Sequence, residues 1–165
     1  MPHTAVVVGN PKPKSRTLAA ATHLATVAAG SPPDTVVDLA DFGAEILDWG
    51  SAPVAEAVAT VGAADLVVFA SPTFKGSYTG LLKLFLDRFD ARTGLSGLAV
   101  PLMLGGSPGH SLAPELQLRP ILSELGATIL GRALYILDSE YERPEVYAEW
   151  LADNKRIIDS VLAAE

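Results

Sequence analysis

Three cations and two hydroxyls are crowded into Pro11-Lys12-Pro13-Lys14-Ser15-Arg16-Thr17, directly ahead of the helical run Leu18 to Ala29. A helix start leaves its first amides unpaired and carries partial positive charge, so a phosphate placed there gains hydrogen bonds and a favourable dipole. Arg adds a planar fork that matches phosphate oxygens. The chain holds 12 Lys and Arg against 19 Asp and Glu, for a net charge of −7. Clustering of Lys12, Lys14 and Arg16 in so acidic a protein points to an anion site, with Ser15, Arg16 and Thr17 closest to the helix start. The spacing matches neither G-x-x-x-x-G-K-[ST] nor G-x-G-x-x-G, which leaves a terminal phosphate monoester as the expected anion.

Two further loops carry different chemistry. Leu66 to Ala70 is a short apolar run followed by Ser71, Pro72, Thr73, Phe74, Lys75, Gly76 and Ser77, and then by Leu81, Leu82, Leu84, Phe85 and Phe89 at helical spacing. Leu98 to Leu104 is another such run, followed by Gly105, Gly106, Ser107, Pro108, Gly109, His110 and Ser111. Gly76, Gly105 and Gly106 allow close backbone approach to a ligand edge. Phe74 offers cover for a flat ring, and amides near Lys75 and Gly106 offer donors. A flat ligand with a phosphate tail suits all three loops, and flavin mononucleotide (FMN) answers that description.

Strand and helix alternate along the chain that must position these loops. Ala5 to Val8 reads as a strand ended by Gly9 and Asn10, Gly30 to Asp34 as a turn, and Thr35 to Leu39 as the second strand. Asp41 to Ser51 is irregular and holds Phe42 and Trp49; Pro53 to Ala63 is a helix. Thr93 to Gly97 turn the chain into the strand Leu98 to Leu104, where Pro101 is unusual for a central position. A helix over Ala113 to Leu125, a strand over Arg132 to Leu137 and a last helix over Glu145 to Ala164 complete five β/α units. Such alternation demands a doubly wound α/β fold with a five-stranded parallel sheet and helices on both faces, and ligand loops at the carboxyl ends of the strands.

Composition fits one domain over residues 1–165. Hydrophobic content of 49% with 19% charge excludes general disorder. No apolar run approaches the roughly 18 residues of a membrane span, and the N-terminus lacks a signal-peptide pattern, so an intracellular, cytoplasmic location is expected. The chain has no cysteine, which excludes disulfides and thiolate chemistry. A pI near 4.9 argues against nucleic acid or an anionic membrane as partner.

Taken together, GNPKPKSRTLAAA, FASPTFKGSYTGLLKLFLDRF and LGGSPGHSLAPELQLRPILSELGA resemble the flavodoxin-like NAD(P)H-dependent FMN reductases, in particular the reductase components of two-component sulfonate monooxygenase systems. The resemblance spans nearly the whole chain in order. It implies hydride transfer from NADPH or NADH to FMN without a protein general base, a partner monooxygenase, and a homodimer or homotetramer in which LLKLFLDRF is a candidate interface. It also implies that Ser15, Arg16 and Thr17 hold the phosphate, while Pro72, Thr73, Phe74, Lys75, Gly76 and Ser77, with Gly105, Gly106 and Ser107, hold the ring.

Asn10 stands where many relatives have Ser and keeps hydrogen-bonding capacity, so it joins the expected site. Leu116 and Gln117 stand where some two-component reductases carry a Tyr or His insertion. Two alternatives share the fold and the cofactor: a flavodoxin-type electron carrier, and a quinone or azo-dye reductase that retains its FMN. The chain lacks the T-x-T-G-x-T phosphate loop of the former. Arg88, Arg92, Arg119 and Lys75 are the candidates for reading a 2′-phosphate, and no catalytic or metal-ligating residue is expected.

Overall fold

The first strand, β1 (Thr4–Val8), is buried along its whole length, and its alternate residues enter two different cores. Ala5 and Val7 pack with Phe69, Leu82, Phe85, Met103 and Leu122, whereas Val6 and Val8 pack with Leu24, Val68, Leu102, Tyr147 and Trp150. A strand covered on both faces has no polar side, which is why these segments read as continuous apolar runs. This computed structural model describes residues 2–163; Met1 and the expected helix end at Ala164 lie outside them.

Strands β2 (Thr35–Asp38), β1, β3 (Leu66–Pro72) and β4 (Leu98–Gly105) lie in that order and are all parallel. The short strands β5 (Thr128–Ile129) and β6 (Leu134–Leu137) both pair with β4, completing the 2-1-3-4-5 order of a flavodoxin-like doubly wound sheet. Helices α1 (Arg16–Ala29) and α5 (Glu145–Leu162) cover one face, and α2 (Ala52–Gly62), α3 (Gly80–Leu86) and α4 (Arg119–Glu124) cover the other. Among the described residues no helix is long and apolar enough to cross a membrane.

Four local expectations need correction. The last strand was expected over Arg132 to Leu137, but its sheet position is shared by β5 and β6. Ala99 pairs with Ile129 and Leu102 with Leu134, so residues 130–133 loop out opposite Val100 and Pro101. Pro101 has no amide to offer a neighbour, and the edge leaves the ladder alongside it. The helix expected over Ala113 to Leu125 begins as a π-helical turn, Pro114–Leu118, in which the Arg119 amide donates to the Pro114 carbonyl. Pro120 cannot donate and its ring crowds the carbonyl of Leu116, so the preceding turn widens; Leu116 and Gln117 lie inside it. The helix expected to reach Phe89 stops at Leu86, and Leu82, Phe85, Leu86 and Phe89 of LLKLFLDRF are buried in this subunit's own core. The expected irregular segment Asp41 to Ser51 mostly forms short 3-10 turns, interrupted at Gly43, where φ is 53°.

The sheet order reverses between β1 and β3, and a buried polar network ties the loops there together. The Gly9 amide donates to the Ala70 carbonyl (2.8 Å), and Thr79 Oγ1 donates to the Gly9 carbonyl (2.5 Å) while capping the Leu82 amide (3.1 Å). Ser71 Oγ accepts from the Thr79 amide (3.0 Å). A Cβ at Gly9 would lie 2.4 Å from Leu82 Cβ, so only glycine lets α3 approach β1 this closely.

Candidate functional site

The cationic loop is built around the start of α1. Ser15 is its N-cap, with Oγ accepting from the Leu18 amide (3.2 Å), which leaves the Arg16 and Thr17 amides free of helical partners. Thr17 is only 2% exposed, and its Oγ1 accepts from Asn10 Nδ2 (3.1 Å), while Asn10 Oδ1 accepts from the Lys12 amide (2.9 Å). Lys14 has a left-handed φ of 52°, and its amide donates to Asp38 (3.1 Å). These bonds fix the loop, and Lys12, Arg16 and Thr17 all line one cavity.

Beyond β3, Thr73 is held by its amide on the Leu104 carbonyl (2.7 Å), and a tight turn follows. The Phe74 and Ser77 backbones bond each other in both directions (2.8 and 3.1 Å) across Lys75 and Gly76, whose φ values are 54° and 77°. Two successive positive φ angles define a primed hairpin turn, for which glycine at the second position is favoured. The turn leaves Phe74 52% exposed at the rim of the cavity. His110 stands against this turn, with its ring 3.9 Å from where a Gly76 Cβ would sit.

Beyond β4, the neighbouring glycines differ sharply. A Cβ on Gly105 would fall 2.1 Å from Tyr135 Oη, whereas one on Gly106 would meet nothing within 4 Å. Tyr135 Oη donates to the Ser107 carbonyl (2.6 Å), pinning this loop from below. Burial pushes the Tyr135 phenol above its ordinary value and the Asp138 carboxylate adds to the rise, so the hydroxyl donates as a neutral group.

Nine expected residues line one cavity of about 280 Å³: Asn10, Ser15, Arg16 and Thr17 from the first loop, Pro72, Thr73 and Phe74 from the second, and Gly105 and Gly106 from the third. Lys75, Gly76, Ser77 and Ser107 do not line it; they form the turn and the loop behind it. Lys12, Leu104 and Asp138 also line the cavity. Asp138 is the residue after β6, and the rule that ligands meet the carboxyl ends of strands, extended to the last strand, would have pointed to it. Arg88 is engaged elsewhere, donating to the carbonyls of Asp48 and Trp49 and stacking on the Trp49 ring at 4.8 Å. Arg119 is held by Glu115 and the Gly131 carbonyl, and neither it nor Arg92 lines the cavity.

The donor set fits FMN. Two free amides, an Arg and a Lys suit a phosphate, and open space over Gly106 suits a ring edge. Thr73 Oγ1 is the one buried side-chain polar atom without a partner among the described residues, and it lies in a residue of the cavity wall. A buried hydroxyl without a partner is costly unless a ligand or water supplies one. The cavity is at the small end of ligand pockets, roughly 300–1,000 Å³, so part of an FMN-sized molecule stays uncovered.

Comparison with known proteins points the same way. The chain is similar to an FMN reductase (NADPH) of Pseudomonas aeruginosa, 31% identical over 97 residues that make up 59% of this chain and 52% of the relative. It is 32% identical over 94 residues to the NADH-dependent FMN reductase SfnF of Pseudomonas fluorescens, covering 57% and 50% of the two chains. The match thus spans about half the length of these curated relatives. Over its whole length it superposes on the apo form of an NADH:FMN oxidoreductase, EMOB, with a TM-score of 0.84 and 28% identity, covering 92% of that chain. The NADPH-dependent FMN reductase family model matches residues 2–142, the span that carries all three loops and every residue of the cavity, and the chain belongs to that family.

Proposed function

We propose that this protein is an FMN reductase that uses NADH or NADPH and hands the reduced flavin to a partner monooxygenase in the cytoplasm. The observation that carries the reading is one cavity shared by a cationic helix start and two glycine-bearing loops. FMN, when bound, supplies the hydride acceptor, and the protein's residues bind and orient. Arg16, Lys12 and the amides of Arg16 and Thr17 hold the phosphate. Phe74 covers one part of the ring, Thr73 Oγ1 gains its missing partner, and the Gly106 backbone would stabilise negative charge on the ring. A homodimer or homotetramer is part of the proposal, with exposed Leu112 and Leu116, one turn apart at the start of the π turn, in the contact.

Arg16 is 62% exposed, so the phosphate grip is reached by solvent and screened by salt. That supports FMN as a substrate that comes and goes. Purified protein is expected to be largely colourless and to consume NADH or NADPH, followed at 340 nm, with a rate that saturates in added FMN. Unchanged absorbance with both nicotinamides would favour an electron carrier, and a yellow protein whose FMN survives dialysis in high salt would favour a quinone or azo-dye reductase. Running both nicotinamides in the same assay sets the preference between them.

A further inference from the structure

The cavity that holds the cationic loop also holds a carboxylate. Asp138 follows β6, and its amide donates to the Gly105 carbonyl (2.9 Å), which fixes it between the phosphate loop and the second glycine loop. Its Oδ2 lies 3.6 Å from Arg16 Nη1, and it is the acidic residue among those described as lining the cavity. The two side chains are 62% and 46% exposed, and ion pairs this open contribute little to folding. Stability therefore gives little reason for an acid at this place, while its effect on a bound anion is direct. A carboxylate there stands beside one Arg16 nitrogen when no ligand is present and repels a phosphate that arrives.

We propose that Asp138 sets the affinity of the site, competing with the flavin phosphate for Arg16 so that the nucleotide is released between turnovers. The role rests on the FMN reading above and adds to it a group that acts against binding. It operates through charge, so it needs the phosphate, is strongest at low salt and is partly carried by Arg16.

Quenching of flavin fluorescence, titrated with FMN and with riboflavin, tests it on the whole protein and its Asp138→Asn, Arg16→Ala and doubly substituted variants, each checked for an unchanged melt. Asp138→Asn is expected to tighten FMN about three- to tenfold at low salt, with less than a twofold change for riboflavin. The gain should shrink in high salt and in the Arg16→Ala background. Weaker binding of both ligands would make Asp138 an acceptor for the sugar-like chain and overturn the proposal, as would equal tightening of both or no change in FMN. If the unsubstituted protein binds riboflavin but not FMN, or neither, the FMN reading itself fails and this role falls with it.

Discussion

Gly105 and Gly106 are adjacent, yet the geometry expects a side chain at each to fail differently. At Gly105 a Cβ would sit 2.1 Å from Tyr135 Oη and 2.9 Å from Tyr135 Cζ, so the ring must move and its 2.6 Å bond to the Ser107 carbonyl must stretch or break. Overpacking of this kind costs about 1–3 kcal/mol, and loss of a neutral hydrogen bond falls within that range. For a chain of 165 residues, at about 2–4 °C per kcal/mol, Gly105→Ala should lower the melting temperature by about 2–12 °C. At Gly106 the protein leaves open space, so Gly106→Val should change stability by no more than about 0.5 kcal/mol. Its branched side chain would instead fill the place where a ring edge approaches the backbone. FMN should then bind at least about tenfold more weakly, the loss of one good hydrogen bond or more. Thermal melts and flavin titrations on the two variants separate these outcomes. A Gly106→Val protein that binds FMN normally would show that this loop does not meet the ring, and a Gly105→Ala protein that melts unchanged would show that Tyr135 does not pin it.

Arg16→Ala should weaken FMN by about 1.5 kcal/mol, the low end for a charged hydrogen bond because Arg16 is open to solvent and shared with Asp138, and should leave riboflavin nearly untouched in the same titration. Burial pushes the Tyr147 phenol up to about 12, above its ordinary value of 10.0, while its hydroxyl donates to the Tyr141 carbonyl. A group whose acid form is favoured by folding contributes fully below its unfolded value and loses that contribution as pH rises through the folded one. Denaturant melts should thus show stability falling between pH 10 and 12, and Tyr147→Phe should flatten that fall; an equally steep fall in the variant would assign it to other groups.

The sheet and the place of the site were legible because the signals were local. Apolar runs such as Leu66 to Ala70 ended in Gly, Pro and Ser, and the cations at Lys12, Lys14 and Arg16 stood out in an acidic chain. What escaped depended on neighbours far along the chain. Thr128 and Ile129 form a strand because β4 offers them a partner at Leu98 and Ala99, and their own two residues carry no pattern. The π turn follows from Pro120 acting on the turn before it, so a simple apolar period over Ala113 to Leu125 could not reveal it. Asp138 was missed for a third reason: a lone acid after a strand has no signature until the strand is seen to end beside Arg16.

The structure also changes what the expected phosphate residues do. Ser15 spends its hydroxyl on the Leu18 amide and Thr17 accepts from Asn10, and both are buried, as are Ser71 and Thr79 in the network below. Their side chains hold backbone in place, and the residues whose amides they leave unpaired, Arg16 and Thr17, line the cavity. Two exposed groups of the cavity, Arg16 and Phe74, are held by little beyond an open ion pair and a two-residue turn. Preorganisation therefore resides in buried hydroxyls, and much of the direct side-chain grip resides in exposed groups that salt and Asp138 can weaken. A site divided in this way would keep its shape when empty while holding a ligand loosely, the combination that the proposed reductase needs if its flavin is to come and go.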